Sequence, residues 1–176
     1  MVRVIGGVAR GRRLKAKLPS SVRPTTDYAR EAIFSMLESR GGLRDLVVAD
    51  LYSGSGAMGI EALSRGAKKV YFVDADPACL AAAKANLEPL GLSGDAFFVR
   101  ATLPLWSPPH DLDLVLADPP YGPLDLASVL VDVDAERVIV ENDRHMDAPD
   151  GWSVTKTKRY GTTLVTMLEP DRGDVA

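Results

Sequence analysis

The sequence predicts an α/β fold in which a mostly parallel sheet of seven strands carries helices on both faces, preceded by a small β-hairpin. The first observation behind this prediction is the alternation of short apolar strands with helical segments from residue 46 onward, which is typical of covered parallel sheets. The second is a glycine-rich turn, residues 50–59, between the first of these strands and its helix. The third is a basic start, interrupted by glycines, ahead of the alternation.

The N-terminal elements come first in the chain. Residues 2–5 and 11–17 form two short extended stretches separated by glycines, which predicts a hairpin that carries basic side chains. Residues 23–27 (RPTTD) then predict a loop that ends in a helix cap, with Thr26 as the N-cap. Apolar residues at helical spacing follow, and this helix is expected to end at Gly41.

The sheet is predicted from seven apolar segments, of which the last two should form an antiparallel hairpin that turns at Gly161. The predicted strands are 46–51, 69–74, 96–100, 112–118, 137–142, 152–160 and 162–168. The predicted helices between them are 57–65, a longer helix capped by Asp76 with Pro77 at its first position, and a short one near 123–131. These elements divide the chain into a basic hairpin extension (1–22), a main domain (23–170) and a tail (171–176) expected to be disordered.

Length and composition limit the possible classes of protein. At 176 residues the chain suits one domain with a small extension. It has no apolar run near the roughly 18 residues needed to span a bilayer, and no signal peptide pattern, so we expect a cytoplasmic protein without membrane contact. Cys79 is the only cysteine and there are two histidines, which predicts neither a disulfide nor a metal site. Cys79, Trp106 and Trp152 are interpreted as packing residues.

The charge distribution is asymmetric. The first thirty residues carry eight arginines and lysines against one acid, Asp27, so this part has a net charge of +7 in a chain of net charge −3. Phosphate contacts are made mainly by Lys and Arg, so this end is a candidate for binding a polyanion. The alternative is a solvated basic arm, and charge alone does not decide between them.

The glycine-rich turn Asp50-Leu-Tyr-Ser-Gly-Ser-Gly-Ala-Met-Gly59 is the first candidate binding motif. Glycines allow the backbone to approach a ligand closely, and a helix N-terminus favours negative charge. Asp74 ends the next strand, where a carboxylate can bind ribose hydroxyls. The pattern predicts an adenosine-containing ligand and fits a dinucleotide site as well, so it leaves the identity of the ligand open.

The second motif, Asp118-Pro-Pro-Tyr121, ends the fourth strand at the edge where open α/β sheets bind ligands. The two prolines restrict the chain so that the Asp118 carboxylate and the Pro119 carbonyl can converge as acceptors, while the Tyr121 ring can stack on a planar base. Two acceptors on an exocyclic amine would orient its lone pair toward an activated methyl group. A dehydrogenase has no use for this tetrapeptide.

Together these motifs resemble the class I S-adenosylmethionine-dependent methyltransferases, a Rossmann-like fold, that contain a (D/N)PP(Y/F) motif. Within them the chain is similar to the RsmD-like 16S ribosomal RNA guanine-N2 methyltransferases. The resemblance covers about residues 1–169. It rests on VRVIGGVARGRRL at the start, RPTTDYAREAIFSML (23–37), DLYSGSGAMGIEALSRGA (50–67), FVDAD (72–76), DPPYG (118–122) and IVEN (139–142).

The resemblance implies a role for each part of the site. The S-adenosylmethionine site would comprise Asp50, Ser53, Gly54, Ser55, Gly56, Asp74, Ala75, Arg100 and Ala101. The guanine would be held by Asp118, Pro119, Pro120 and Tyr121. The RNA would be bound by Arg10, Arg12, Arg13, Lys15, Arg23, Thr25, Thr26 and Arg30. Relatives often place an acidic or amide residue near position 100 for the adenine, and Arg100-Ala101-Thr102 departs from that pattern.

The expected reaction is direct in-line methyl transfer to guanine N2, without metal or a covalent enzyme intermediate. The expected target is guanine 966 of 16S ribosomal RNA, in an assembling or assembled small subunit, and the enzyme is expected to act as a monomer. Three alternatives stay open. They are a DNA adenine-N6 methyltransferase, disfavoured because no target-recognition segment is seen, a nucleotide-dependent oxidoreductase, and a non-catalytic RNA-binding assembly factor.

Overall fold

A computed structural model of the chain describes residues 2–16, 27–120, 122 and 124–171. It opens with an antiparallel pair, β1 (Val2–Arg3) and β2 (Arg13–Leu14), followed by helix α1 (Asp27–Glu38). The alternating part then comprises β3 (Val47–Leu51), α2 (Ala57–Ser64), β4 (Lys69–Asp74), α3 (Pro77–Leu87), β5 (Ala96–Arg100), β6 (Leu114–Ala117), α4 (Leu126–Leu130), β7 (Arg137–Asn142), β8 (Trp152–Tyr160) and β9 (Thr163–Pro170). Two single 3₁₀ turns lie between α3 and β5.

The seven long strands form one sheet in the order β5-β4-β3-β6-β7-β9-β8. Strands β3 to β7 pair in parallel, whereas β9 is antiparallel to both β7 and β8. The strand order reverses beside β3, because the chain moves outward to β4 and β5 and then crosses back to β6. This architecture confirms the predicted fold class, including the parallel sheet, the closing antiparallel pair and the N-terminal hairpin.

Each face of the sheet has its own apolar core. On one face α1, α2, α3 and the hairpin pack against the sheet, with Phe34, Ile60 and Phe72 completely buried. On the other face α4 and the segment before β6 cover the sheet, and Trp106 is buried there with Leu112. Trp106 therefore packs as predicted. Among the described residues, no helix is both long and apolar enough to cross a bilayer.

The local signals for helix starts agree with the structure where it describes them. The Asp76 side chain accepts a hydrogen bond from Ala78 N–H at 2.8 Å, with Pro77 at the first position of α3. Helix α4 is shorter than predicted because the Asp125 side chain caps it, accepting from Ser128 N–H at 3.1 Å. The predicted N-cap Thr26 lies outside the described residues.

The N-terminal hairpin has shorter strands than predicted. Its regular pairing covers Val2–Arg3 and Arg13–Leu14, and two further bonds join Val4 N–H to the Arg12 carbonyl and Gly11 N–H to the Val4 carbonyl. Beyond that point the N–H groups of Ile5 and Gly6 donate to the side chain of Glu61 in α2 instead. The chain therefore leaves the ladder because a helix side chain offers its N–H groups a better-placed acceptor.

Candidate active site at the carboxyl edge of the sheet

The glycine-rich turn connects β3 to α2 at the carboxyl edge of the sheet. Ser53 N–H donates to the Val73 carbonyl at 3.1 Å, and Gly56 N–H donates to the Ser53 carbonyl at 2.7 Å. Gly54 and Gly56 both have positive φ, 51° and 75°. A Cβ on Gly56 would lie 2.8 Å from the Ala83 Cβ of α3. Glycine is required here because the loop turns in the left-handed region while in contact with a neighbouring helix.

The side chain of Asp50 binds the backbone in the first turn of α2. Its Oδ2 accepts a hydrogen bond from Gly59 N–H at 2.8 Å, which occupies one free N–H at the helix start. Its carboxyl is buried, and burial raises its pKa well above the ordinary value. The nearby charges of Asp118 and Asp74 add to this rise, while the hydrogen bond from Gly59 opposes it. Three carboxyl groups thus converge at the ends of three adjacent strands.

Asp74 is oriented by the backbone on both sides. Its Oδ2 accepts from Gly54 N–H and its Oδ1 from Asp76 N–H, both at 2.9 Å. Each carboxylate oxygen retains further acceptor capacity, so the group can still accept hydroxyl donors from a ligand. The carboxylate is half-buried and held at a fixed position beside the glycine turn.

Three further predicted residues lie beside Asp74. Ala101 N–H donates to the Asp74 carbonyl at 3.1 Å, and Arg100 Nε donates to the Ala75 carbonyl at 3.4 Å. The residues predicted to hold one cofactor therefore form a single cluster, although they come from three separate segments of the chain.

Two observations indicate that the turn is shaped for a ligand. The Ser53 hydroxyl is buried and has no hydrogen-bond partner among the described residues. Tyr52, which follows β3, has φ 59°, a conformation that costs a non-glycine residue about 1–3 kcal/mol. Strain and an unsatisfied buried hydroxyl at one turn are typical of binding sites. Tyr52 was not among the predicted site residues, because a positive φ at an aromatic residue has no signal in the sequence.

The Asp118 segment lies next to the turn. Asp118 N–H donates to the Leu51 carbonyl at 3.4 Å, which continues the pairing of β6 with β3. Asp118 is half-buried, Pro119 is buried and Pro120 is exposed. Tyr121 lies outside the described residues. Within the part of the chain that the structure describes, no group of His, Cys, Asp or Glu side chains has the arrangement of a metal site.

The basic hairpin presents its charges to solvent. Arg10, Arg12, Arg13 and Lys15 are exposed, and Arg12 donates to the Pro89 carbonyl at 2.9 Å. Asn86 of α3 joins this hairpin to the glycine-rich turn. It accepts from Ala16 N–H at 2.8 Å and donates to the Ser55 carbonyl at 3.0 Å. Arg23, Thr25 and Thr26, also predicted to bind RNA, lie outside the described residues.

Arg30 differs from its prediction as an RNA contact. Its side chain is completely buried, pairs with Asp27 at 2.9 Å, and donates to the Arg3 carbonyl of the hairpin. Burial lowers the pKa of the guanidinium, whereas the carboxylates of Asp27, Glu61 and Glu141 oppose the effect. Its position beneath the hairpin prevents direct contact with a surface ligand. Arg30 therefore anchors the basic hairpin rather than extending its charged surface.

Sequence reasoning missed the buried polar residues that hold the hairpin, among them Arg30 as an anchor, Glu61, Ser64 and Asn86. A signal for Arg30 was present, because it shares helical spacing with the buried apolar residues of α1. Glu61 likewise interrupts an otherwise apolar helix, and a buried carboxylate requires partners. Its partners in the hairpin, Ile5 and Gly6, lie more than fifty residues away in the chain, so only the fold reveals them.

The sheet order and the site at its carboxyl edge define a class I methyltransferase. Residues 2–169 match the model of a family described as Conserved hypothetical protein 95. A relative named Ribosomal RNA small subunit methyltransferase D from Haemophilus influenzae is 31% identical, covering 96% of this chain and 93% of its own. The protein of the same name from Escherichia coli K12 is 32% identical, covering 96% and 89%. The chain belongs to this methyltransferase family.

Solved structures share the fold of this chain. A hypothetical protein from Thermus thermophilus superposes with a TM-score of 0.79 at 29% identity, covering 96% of this chain and 99% of that one. An RNA methyltransferase from Salinibacter ruber, solved with S-adenosyl-L-homocysteine, gives a TM-score of 0.67 at 18% identity, covering 88% and 98%. The second likeness concerns the fold alone.

Proposed function

We propose that this chain transfers a methyl group from S-adenosylmethionine to the exocyclic N2 of a guanine in small-subunit 16S ribosomal RNA, with guanine 966 as the target. The observation that carries the proposal is the position of Asp118 beside Asp50 and the glycine turn, at the ends of adjacent strands. In this arrangement Asp118 would accept from the substrate amine next to a site suited to an adenosine-containing cation.

The residues of the glycine turn fit the cofactor. Asp74, held by two backbone N–H groups, would accept the ribose hydroxyls, and residues 53–56 with Asp50 would surround the methionine part. The Ser53 hydroxyl, which is buried without a hydrogen-bond partner among the described residues, would be able to bond to the cofactor. When bound, S-adenosylmethionine supplies a methyl group activated on a positively charged sulfur. The acidic surroundings favour such a cation over a neutral ligand.

The Asp118 segment orients the nucleophile. A guanine N2 amine is a weak nucleophile because its lone pair is delocalised into the ring. The Asp118 carboxylate and the Pro119 carbonyl would accept its two N–H groups, turning the lone pair toward the methyl group and stabilising the positive charge that grows on nitrogen. The methylated amine then loses a proton to Asp118 or to water. The transfer is direct, so the enzyme needs neither a covalent intermediate nor a metal.

The hairpin, residues 1–22, would hold the RNA while the domain of residues 23–170 performs the transfer. The exposed side chains of Arg10, Arg12, Arg13 and Lys15 can contact phosphates, and the target base would leave its stack to reach Asp118. We further propose that the enzyme works as a monomer in the cytoplasm, on an assembling or assembled small subunit. The names of the relatives support ribosomal RNA as the substrate.

The test is methyl transfer from radiolabelled S-adenosylmethionine to small subunits that lack the modification, followed by nucleoside analysis. Label in N2-methylguanosine supports the proposal, whereas label in another nucleoside overturns the guanine-N2 assignment. Asp118→Ala should lower kcat by about 100-fold or more, the usual effect of losing one such stabilising group, and leave the Kd for the cofactor within a few-fold. Asp118→Asn retains one acceptor and should keep more activity than Asp118→Ala.

A further inference from the structure

An exposed tyrosine and a half-buried tyrosine form an aromatic pair at the sheet's last strand. The rings of Tyr28, in the first turn of α1, and Tyr160, at the end of β8, lie 5.7 Å apart in an edge-to-face arrangement of 78°. Tyr28 is 66% exposed, which is unusual for so large an aromatic residue that has a packing partner. Much of the Tyr28 ring is therefore available for contact with another planar group.

Two lysines extend this surface along β8. Lys158 Nζ lies 5.2 Å from the centre of the Tyr160 ring, a cation–π contact. In the register of β8 with β9, Lys156, Lys158 and Tyr160 stand opposite Met167, Val165 and Thr163. Residues directly opposite in an antiparallel pair share a face of the sheet. The two lysines and Tyr160 are therefore on the face covered by α1, to which Met167 and Val165 contribute their side chains.

The surface formed by Tyr28, Lys156, Lys158 and Tyr160, here called the β8 patch, carries positive charge that the protein does not neutralise. Both lysines are exposed, and neither forms an ion pair among the residues that the structure describes. Asp27, which precedes Tyr28 in α1, is paired with Arg30. β8 is the last strand of the sheet, so the patch lies at its border.

The β8 patch begins at the same edge of the sheet as the candidate active site. Asn142, at the carboxyl end of β7, pairs with Leu164 of β9, which in turn pairs with Arg159 of β8. The turn between β8 and β9 is therefore at the carboxyl edge. Three strand spacings of about 4.8 Å separate β8 from β6, so Tyr160 lies about 14 Å from the strand that ends at Asp118. This separation suits a contact with nucleotides that flank the reacting base.

We propose that the β8 patch binds single-stranded RNA next to the methylated guanine, with Tyr28 stacking on a base and Lys156 and Lys158 contacting phosphates. The proposal rests on the RNA methyltransferase function proposed above and adds a second contact surface to the basic hairpin. Exposed aromatic rings beside lysines are the combination that recognises unpaired nucleotides, because every base offers a face for stacking and every nucleotide carries a phosphate.

The position of α1 relates the two RNA surfaces. Arg30 in its first turn holds the hairpin by the Arg3 carbonyl, while Tyr28, two residues earlier, forms part of the β8 patch. The start of α1 therefore lies between the two surfaces. An RNA strand whose target base enters the site could contact the hairpin on one side and the β8 patch on the other.

The test compares variants in binding to a 16S ribosomal RNA transcript at several salt concentrations. Tyr28→Ala should raise the Kd about tenfold, the usual loss for one stacked base, while Tyr28→Phe keeps the ring and should bind like the unaltered protein. The double variant Lys156→Ala with Lys158→Ala should lower the slope of log affinity against log salt by about 1.4, since each phosphate contact to a single strand contributes about 0.7. Lys68→Ala removes an exposed lysine at the opposite edge of the sheet and serves as the control.

The outcomes separate this proposal from the function on which it rests. Weaker binding of Tyr28→Ala and a smaller slope for the lysine variant, with Tyr28→Phe and Lys68→Ala unchanged, support the β8 patch as an RNA surface. Unchanged binding of both variants, when the unaltered protein binds and methylates RNA, overturns the β8 patch alone. Variants that bind the transcript normally but methylate intact subunits poorly would assign the patch to a protein partner and also overturn the proposal. Failure of the unaltered protein to methylate small subunits that lack the modification would instead reject the proposed function.

Discussion

The carboxylate of Glu61 accepts a hydrogen bond from the backbone N–H of Gly6 at 2.7 Å, and a second from Ile5 N–H at the same distance. Glu61 is completely buried in α2, where Arg65 one turn later pairs with it at 2.8 Å. Close to that turn, the Ser64 hydroxyl donates to the Gly6 carbonyl at 2.6 Å. Helix α2 therefore begins at the glycine-rich turn, and its later residues bind the backbone of the basic hairpin.

Removing this carboxylate should release the hairpin. Glu61→Ala leaves two backbone N–H groups without their acceptor, at about 1–3 kcal/mol each if they stay buried, so we expect the free energy of unfolding to fall by about 3 kcal/mol. Denaturant unfolding measures this loss. Trypsin should also cleave faster at Arg10 and Arg12 once the hairpin detaches. Glu38→Ala is the control, because Glu38 pairs with the same Arg65 at 3.2 Å but is half-exposed and should cost less than about 1 kcal/mol. Equal losses in the two variants would contradict the anchoring role.

Asn86 should influence cofactor binding through the Ser55 carbonyl. Asn86→Asp keeps an acceptor for Ala16 N–H but loses the N–H group that donates to Ser55, and it places a negative charge beside that carbonyl. We expect the Kd for S-adenosylmethionine to rise about tenfold, equivalent to one lost hydrogen bond of about 1.4 kcal/mol. Titration calorimetry measures the change. Lys84→Ala, an exposed site on the same helix, should bind normally. Unchanged affinity in Asn86→Asp would show that the turn holds its shape without this bond.

The sheet and the glycine-rich turn could be predicted from sequence because their signals are local. Strand and helix periods alternate along the chain, and the glycine turn, Asp74 and Asp118 each follow a strand. Parallel strands end at one edge, so residues that end such strands must lie together. The shortening of the hairpin strands could not be predicted, because the acceptor that draws Ile5 and Gly6 away belongs to a distant helix.

Arg30 shows where a charge pattern misleads. It belongs to a basic N-terminal segment, so its composition favoured an RNA contact, but it lies three, four and seven residues before Ile33, Phe34 and Leu37, the buried stripe of α1. Helical spacing places all four on one face. The position within the helix was thus a better guide than the charge of the segment. A fully buried arginine requires partners, and here they are Asp27 and the Arg3 carbonyl.

Asp50 should make stability depend on pH in a defined direction. Its folded-state pKa lies well above the ordinary value near 3.9, so the folded protein binds a proton that the unfolded chain has already lost. The contribution of Asp50 to stability is therefore fully present below about pH 3.9 and declines as the pH rises toward the folded pKa. Asp50→Asn removes this decline while its side-chain carbonyl can still accept from Gly59 N–H.

The measurement is denaturant unfolding of both proteins between pH 4 and pH 8. The stability of Asp50→Asn relative to the unaltered protein should increase with pH over this window, because the variant has no carboxyl at position 50 to ionise. Asp74 and Asp118 are present in both proteins, so the difference reports the Asp50 carboxyl together with its electrostatic coupling to these two groups. A constant difference across the window would show that the Asp50 pKa is not raised in the folded protein.

Gly56 and Gly91 have nearly the same backbone conformation, so alanine at each position distinguishes the effect of close packing on stability from the effect of backbone strain. Gly56 and Gly91 have φ of 75° and 71°, but a Cβ on Gly56 would lie 2.8 Å from the Ala83 Cβ, whereas a Cβ on Gly91 would meet nothing within 4 Å. Alanine at either position incurs the strain of positive φ, about 1–2 kcal/mol. Gly56→Ala should lose about 1–3 kcal/mol more, because α2 and α3 must move apart. Thermal unfolding compares the two variants, and calorimetry should show weaker cofactor binding for Gly56→Ala only. If both variants lost the same stability, close packing of α3 against the turn would not be the reason for glycine at position 56.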